Sequence, residues 1–292
     1  MKQILSLILI MAATSPILAQ GHSNEGAETR EGILLVTFGT SIPSAQVAFH
    51  HIEEKVRKAF PETEIRWAYT SNTIRKRLHK QGTELPTPAE ALAKMGADGF
   101  THIAVQSLHV IPGEEYENLH KTVKAFHHIP KGSRAIRIGA PLLTSHKDHL
   151  RLNSFIQKEF GASAGGEKAV VFMGHGTHHR ANIHYPGFQY YLMQENDHMF
   201  LGTVEGFPQL ENLLPDLEQK GIKEITLLPF MSVAGDHALN DMAGEEEDSW
   251  KSQLESKGYV VKPILKGLAE YAEVVDIWID HLHSTLEALH ED

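Results

Sequence analysis

Lys168-Ala169-Val170-Val171-Phe172-Met173-Gly174-His175-Gly176-Thr177 decides how this chain is read. The apolar run 168–173 enters a glycine-flanked histidine without a polar interruption, the pattern of a strand buried on both faces that stops at a turn. A second apolar run, 224–228, leads into Val233-Ala234-Gly235-Asp236-His237. A histidine just past the end of a parallel strand faces the crevice where open α/β sheets bind their ligands. Two of them imply a metal site or a site of proton transfer.

On either side of these turns, strand-like runs alternate with helix-like ones, which implies βαβ units and parallel sheets. Four runs fall at 33–38, 64–69, 102–107 and 135–139, and four more at 168–173, 199–204, 224–228 and 260–264. The segment 45–60 places Val47, Ile52, Val56 and Phe60 at helical spacing. Thr87-Pro88-Ala89-Glu90 has the N-cap, first-turn proline and N3 glutamate of a capping box. Helices are also expected at 114–126, 145–160 and 208–220, near Ser249, and at 271–289, where Val274, Ile277, Trp278 and Leu282 share a face. The two halves then align by motif. Phe38-Gly39-Thr40 corresponds to the His175 turn, and Val110-Ile111-Pro112-Gly113-Glu114-Glu115 to the His237 turn. The expected fold is α/β, with two similar Rossmann-like lobes, 31–143 and 144–292, each a four-stranded parallel sheet flanked by helices and facing a central cleft.

With 292 residues, 41% hydrophobic and 22% charged, the chain can bury two real cores. It contains no cysteine, so disulfides and thiolate zinc sites are excluded and any metal must be held by nitrogen and oxygen. The formal net charge of -10 excludes the basic footprint that nucleic acid requires. At the N-terminus, Met1-Lys2, an apolar run at 4–13 and Pro16-Ile17-Leu18-Ala19 read as a secretory signal peptide over 1–19. A polar, flexible lead-in at 20–30 follows. The mature protein is therefore expected in the periplasm, with no membrane span left after cleavage.

His175, Glu205 and His237 follow successive strands of the second half, whose C-terminal ends lie together in a parallel sheet. Two imidazoles and a carboxylate suit a borderline divalent cation with open coordination positions. The plain alternative is a helix-capping His175 and a solvated Glu205. Gly174 and Gly176 beside His175, with Gly39 and Thr40 in the matching turn, are expected to let backbone and ligand approach closely. Glu115, and secondarily Glu114, stands where His237 does in the other half, so a carboxylate there would face the metal lobe and take up protons. Its alternative is a first-turn glutamate stabilised by the helix dipole. The run Glu245-Glu246-Glu247-Asp248 reads as a solvated N-terminal turn, and His178, His179 and His184 as candidates for a relay.

The stretches Val36-Thr37-Phe38-Gly39-Thr40-Ser41, Gln106-Ser107-Leu108-His109-Val110-Ile111-Pro112-Gly113-Glu114-Glu115-Tyr116, Met173-Gly174-His175-Gly176 and Ala234-Gly235-Asp236-His237-Ala238-Leu239-Asn240-Asp241-Met242-Ala243 resemble the anaerobic cobaltochelatases, the class II chelatases of cobalamin synthesis. The resemblance covers the chain from residue 31 onward. It implies ATP-independent insertion of Co²⁺ into sirohydrochlorin in the cleft between the lobes, with Fe²⁺ or Ni²⁺ as other metals and a homo-oligomer as the assembly. It also implies that His175 and His237 are the metal-binding and catalytic histidines, Glu205 the third metal ligand and Glu115 the cleft carboxylate. The export signal departs from the cytoplasmic location of cobalamin-making members. Export, together with His120, His127 and His128, motivates a second reading, a periplasmic tetrapyrrole, haem or metal carrier built on the same fold. A metallohydrolase is a third, disfavoured by the lack of a nucleophile motif or a zinc-protease helix.

Overall fold

In the computed structural model, which describes residues 28–127, 129–130 and 132–291, every residue of β1 (Glu31–Thr37) after the first is buried. Its side chains alternate between two cores. Ile33 and Leu35 join one apolar cluster, Leu34 and Val36 another. This period-2 division explains why the strand reads as a continuous apolar run. The expected signal peptide, residues 20–27 of the lead-in and His128 lie outside the described residues.

The first sheet has the order β2-β1-β3-β4, with β2 (Glu64–Tyr69), β3 (His102–Ser107) and β4 (Ala135–Gly139), and all its pairings are parallel. The second repeats it as β6-β5-β7-β8, from β5 (Lys168–Gly174), β6 (Met199–Thr203), β7 (Glu224–Phe230) and β8 (Val260–Pro263). Two parallel four-stranded sheets of one topology, flanked by helices, are the α/β architecture expected. In each, the chain leaves the first strand to one side and returns to the other. The loops after β1 and β3, and after β5 and β7, therefore flank a switch point where such sheets form a crevice.

The helices are α1 (Val47–Ala59), α2 (Asn72–His79), α3 (Pro88–Ala97), α4 (Glu114–Phe126), α5 (His146–Phe160), α6 (His184–Glu195), α7 (Leu210–Gln219), α8 (Trp250–Ser256) and α9 (Ala272–Glu287). The Thr87 capping box forms, with Thr87 Oγ1 accepting from the Glu90 N–H and Glu90 accepting from the Thr87 N–H. Ser249 caps α8, so the acidic run before it is an N-terminal turn. Two helices have no counterpart in the sequence reading. α2 buries only Leu78 and carries no apolar stripe, and α6 has Pro186 and Gly187 in its first turns, which mask the spacing of Tyr185, Phe188 and Leu192.

The C-terminal helix reaches across the expected division at 143/144. α9 packs on β3 and β4 of the first sheet, and Lys55 of α1 reaches both Asp276, at 2.6 Å, and the Ala272 carbonyl, at 2.8 Å. Its stripe of Val274, Ile277, Trp278 and Leu282 is buried in one cluster with Ile33, Leu35 and Ile52, and also with Phe172 and Phe230 of the second sheet. The stripe is buried as its spacing predicts, against apolar faces of both sheets, so the two lobes share a core. No helix among the described residues is long and apolar enough to cross a membrane.

Candidate metal centre

Each donor is placed by the loop that ends its strand. His175 follows Gly174 at the tip of β5, and Glu205 lies two residues past β6. The two loops are tied by their backbones, since the Glu205 N–H donates to the His175 carbonyl at 2.8 Å and the Val204 N–H to the Gly174 carbonyl at 3.0 Å. His237 comes later than expected. β7 runs to Phe230, and the intervening loop carries His237 into the first turn of a helix that continues as a π-helical segment, Ala238–Met242. Irregular helical turns of this kind recur at functional sites.

The three come together. One ligand atom from each of His175, Glu205 and His237 lies within 4.8 Å of the others. The two imidazole rings meet edge to face with centroids 4.6 Å apart, and Glu205 Oε2 is 3.9 Å from His175 Nδ1. Their side chains stay 40%, 54% and 35% exposed, in the order His175, Glu205, His237, so the set is open to solvent. His175 Nδ1 donates to the Gly176 carbonyl at 2.8 Å, and His237 Nδ1 to Asp241 Oδ2 at 2.5 Å. A carbonyl or carboxylate accepts only, so both contacts put the ring proton on Nδ1 and leave the Nε2 lone pair free. Such partners fix ring orientation and raise ligand basicity in metal-binding histidines. Two nitrogens and one carboxylate with open positions can hold a borderline divalent cation and still release it.

The glycines serve the protein's own packing. A Cβ on Gly176, whose φ is +80°, would stand 2.4 Å from the Gly206 nitrogen and 2.7 Å from Thr203 Cβ. A Cβ on Gly174 would strike the buried Tyr185 ring at 2.5 Å. The β6 loop and Tyr185 thus pack closely on these glycines; the Tyr185 hydroxyl accepts from the Gly176 N–H and is pushed up to about 12 by burial. In the first lobe, Gly39 has φ +98°, matching Gly176, and Thr40 is buried with Oγ1 accepting from the Ile42 N–H at 3.1 Å. Thr40 lies beside the loop of His237, because a Cβ on Gly235 would come 3.4 Å from Thr40 Oγ1.

Glu114 and Glu115 lie in the first turn of α4, and neither joins the donor cluster. Glu117, one turn further along α4, lies 2.5 Å from Arg180 Nη2 and 3.3 Å from His179 Nε2. The Arg180 guanidinium holds its carboxyl below the usual range. His179 also accepts from the Ala181 N–H as the cap of a short helix, and His184 stacks on His149, where burial lowers its pKa. These contacts hold both rings in place, and His178 is exposed. His120 is exposed on α4, and His127 accepts from Arg137 Nη1 at 2.7 Å.

Sequence reasoning missed three residues here. Asp241 orients His237, and its signal was the four-residue spacing on one helical turn. His109, past β3, is held by Ser107 Oγ at 2.8 Å and is pushed down to about 4 by burial. Phe38 occupies the place in the first lobe that His175 has in the second, and it is 45% exposed. The metal-binding half of the duplicated turn is therefore confined to one lobe.

The family of cobalt chelatases (CbiK) matches residues 31–287. The chain is 41% identical over 261 residues to a sirohydrochlorin cobaltochelatase, CbiKC, of Nitratidesulfovibrio vulgaris, covering 89% of this chain and 92% of the relative. It is 34% identical over 265 residues to the sirohydrochlorin cobaltochelatase of Salmonella typhimurium, covering 90% and 99% respectively. Among solved structures, its fold is similar to the sirohydrochlorin chelatase SirB of Bacillus subtilis subspecies spizizenii in complex with cobalt, with TM-score 0.57, 13% identity and coverage of 89% of this chain and 97% of that one. The family match across nearly all of the described chain, together with relatives of this identity at almost full length, shows that the chain belongs to the cobalt chelatase (CbiK) family.

Proposed function

We propose that this protein inserts Co²⁺ into a sirohydrochlorin-type tetrapyrrole without ATP, in the cleft above the C-terminal ends of β5, β6 and β7. The convergence of His175, Glu205 and His237 carries this reading, because it supplies an open nitrogen and oxygen set within 4.8 Å. The curated relatives act on sirohydrochlorin by their names, which supports the macrocycle. Metallation replaces two pyrrole N–H protons by one divalent ion, so the site must loosen the ion's water shell and accept two protons. His175 and His237 present Nε2 to the ion while Nδ1 is tied down, and Glu205 adds a negative oxygen that offsets the ion's charge. An incomplete donor set binds less tightly than a closed thiolate cage, which favours release to the ring. As the macrocycle takes the ion, each freed imidazole becomes a base for one pyrrole proton.

Mixing the purified protein with Co²⁺ and sirohydrochlorin and following the absorption spectrum tests this. Accelerated conversion to the cobalt complex without nucleotide is expected, and a rate equal to that of the protein-free mixture overturns it. Replacing Co²⁺ by Fe²⁺ or Ni²⁺ in the same assay ranks the metals.

The periplasm is the proposed compartment, supported by the charged, apolar and small-residue pattern of residues 1–19. N-terminal sequencing from the native host should return a start near residue 20, and Met1 in a cytoplasmic fraction refutes it.

A further inference from the structure

We infer that Arg77, assisted by Lys76, is a carboxylate subsite on the first lobe that receives the acidic side chains of the macrocycle. The inference rests on the chelatase reading and deepens it. In a chain of net charge -10, residues 65–83 contain no aspartate or glutamate, while Arg66, Arg75, Lys76, Arg77 and Lys80 fall within them. Arg66 is neutralised by Glu64 and Asp98, and Arg75 by Glu90. Lys76 and Arg77 are exposed on α2, and among the described residues no carboxylate pairs with either.

The position of Arg77 is set by a short chain of contacts. Its Nη1 donates to Ser41 Oγ at 2.9 Å, in the loop that follows β1. Thr40, the preceding residue, abuts Gly235, two residues before His237. An unneutralised guanidinium therefore stands at the rim of the cleft that holds the three metal donors. The same loop begins with Phe38, whose exposed ring directly follows a buried strand. A flat ring system edged with carboxylates needs both an apolar surface for its face and fixed cations for its edge. This rim supplies both, and a guanidinium offers a planar fork that matches a carboxylate. In an acidic protein, such a local cationic patch also orients an approaching polyanion.

The test uses the full-length mature protein and two metal-free fluorescent porphyrins, one with eight carboxylates and one with two. Arg77→Gln should weaken binding of the octacarboxylate by roughly tenfold or more, the scale of a lost charge-assisted contact, while leaving the dicarboxylate nearly unchanged. Arg77→Lys should restore part of the loss. Lys58→Gln, at the end of α1 remote from the cleft, controls for net charge. In cobalt insertion, Arg77→Gln should raise KM for sirohydrochlorin and leave kcat and the KM for Co²⁺ unaltered. Equal octacarboxylate affinity in Arg77→Gln and wild type overturns the subsite. Arg77-dependent binding in a wild-type protein that inserts no cobalt supports the subsite and refutes the chelatase reading alone.

Discussion

At the residue scale, the site depends on imidazoles whose proton position is set by neighbours. His175→Ala and His237→Ala should each lower cobalt insertion by about 100-fold or more, the range for losing a positioned base, with unchanged circular dichroism because neither ring packs in a core. Wild-type rates in both variants would remove the histidines from the mechanism. Asp241→Ala frees His237 Nδ1 to exchange its proton and lets the ring turn, so Co²⁺ binding by calorimetry should weaken by roughly 10–100-fold, as for other carboxylate partners of metal-bound histidine. Gly176→Ala is a different kind of change. It forces a Cβ to within 2.4 Å of the Gly206 nitrogen at a φ of +80°, and a strained backbone of this sort costs about 1–3 kcal/mol. Chemical denaturation should show that loss together with loss of metal binding, since the loops of His175 and Glu205 are one packed unit.

At the element scale, the turns after the strands carry different residues in the two lobes. His109, past β3, is neutral in the folded chain because burial pushes it down to about 4. An imidazole in the unfolded chain titrates near ~6.5, so between those values the unfolded state binds the extra proton. Stability is then complete above about 6.5 and is lost as pH falls toward 4, by at most ~3 kcal/mol from this group. His109→Gln, measured by denaturation at pH 5 and pH 7, should shrink the difference between the two. An unchanged difference would show that another group sets the acid limb. The helices show which local signals survive. The cap at Thr87 was legible because capping is a contact between residues three apart. α2 and α6 were not, because their burial comes from one face of a short helix and from aromatic contacts with Phe230 of β7.

At the scale of the whole molecule, the lobes are joined by a shared core around α9. Trp278 is 1% exposed in that core, and its Nε1 has no hydrogen-bond partner. Trp278→Ala should destabilise the protein by about 3–5 kcal/mol. Trp278→Phe keeps most of the apolar contact and removes a buried unpaired donor, so it should cost clearly less. A single unfolding transition is expected in both, because the cluster contains residues of each sheet, and two separated transitions would show lobes that fold independently.

The sequence by itself determined what depends on near neighbours and on period. These are the eight strands, the repeat of their turns, the capped helices, the all nitrogen and oxygen donor chemistry, and the three donors themselves, since strand ends of one parallel sheet must lie together. Only the tertiary structure decided what depends on which surfaces meet. It sent the stripe of α9 to the first sheet, because a stripe shows that a helix is buried without saying against what. It brought Glu117 of α4 to Arg180 and His179, and packed Gly174 against Tyr185 and Gly176 against the β6 loop. It also set Asp241 on His237 and Arg77 on Ser41. Periodicity is a property of one segment, whereas each of these contacts joins two surfaces whose relative placement comes from packing the whole chain.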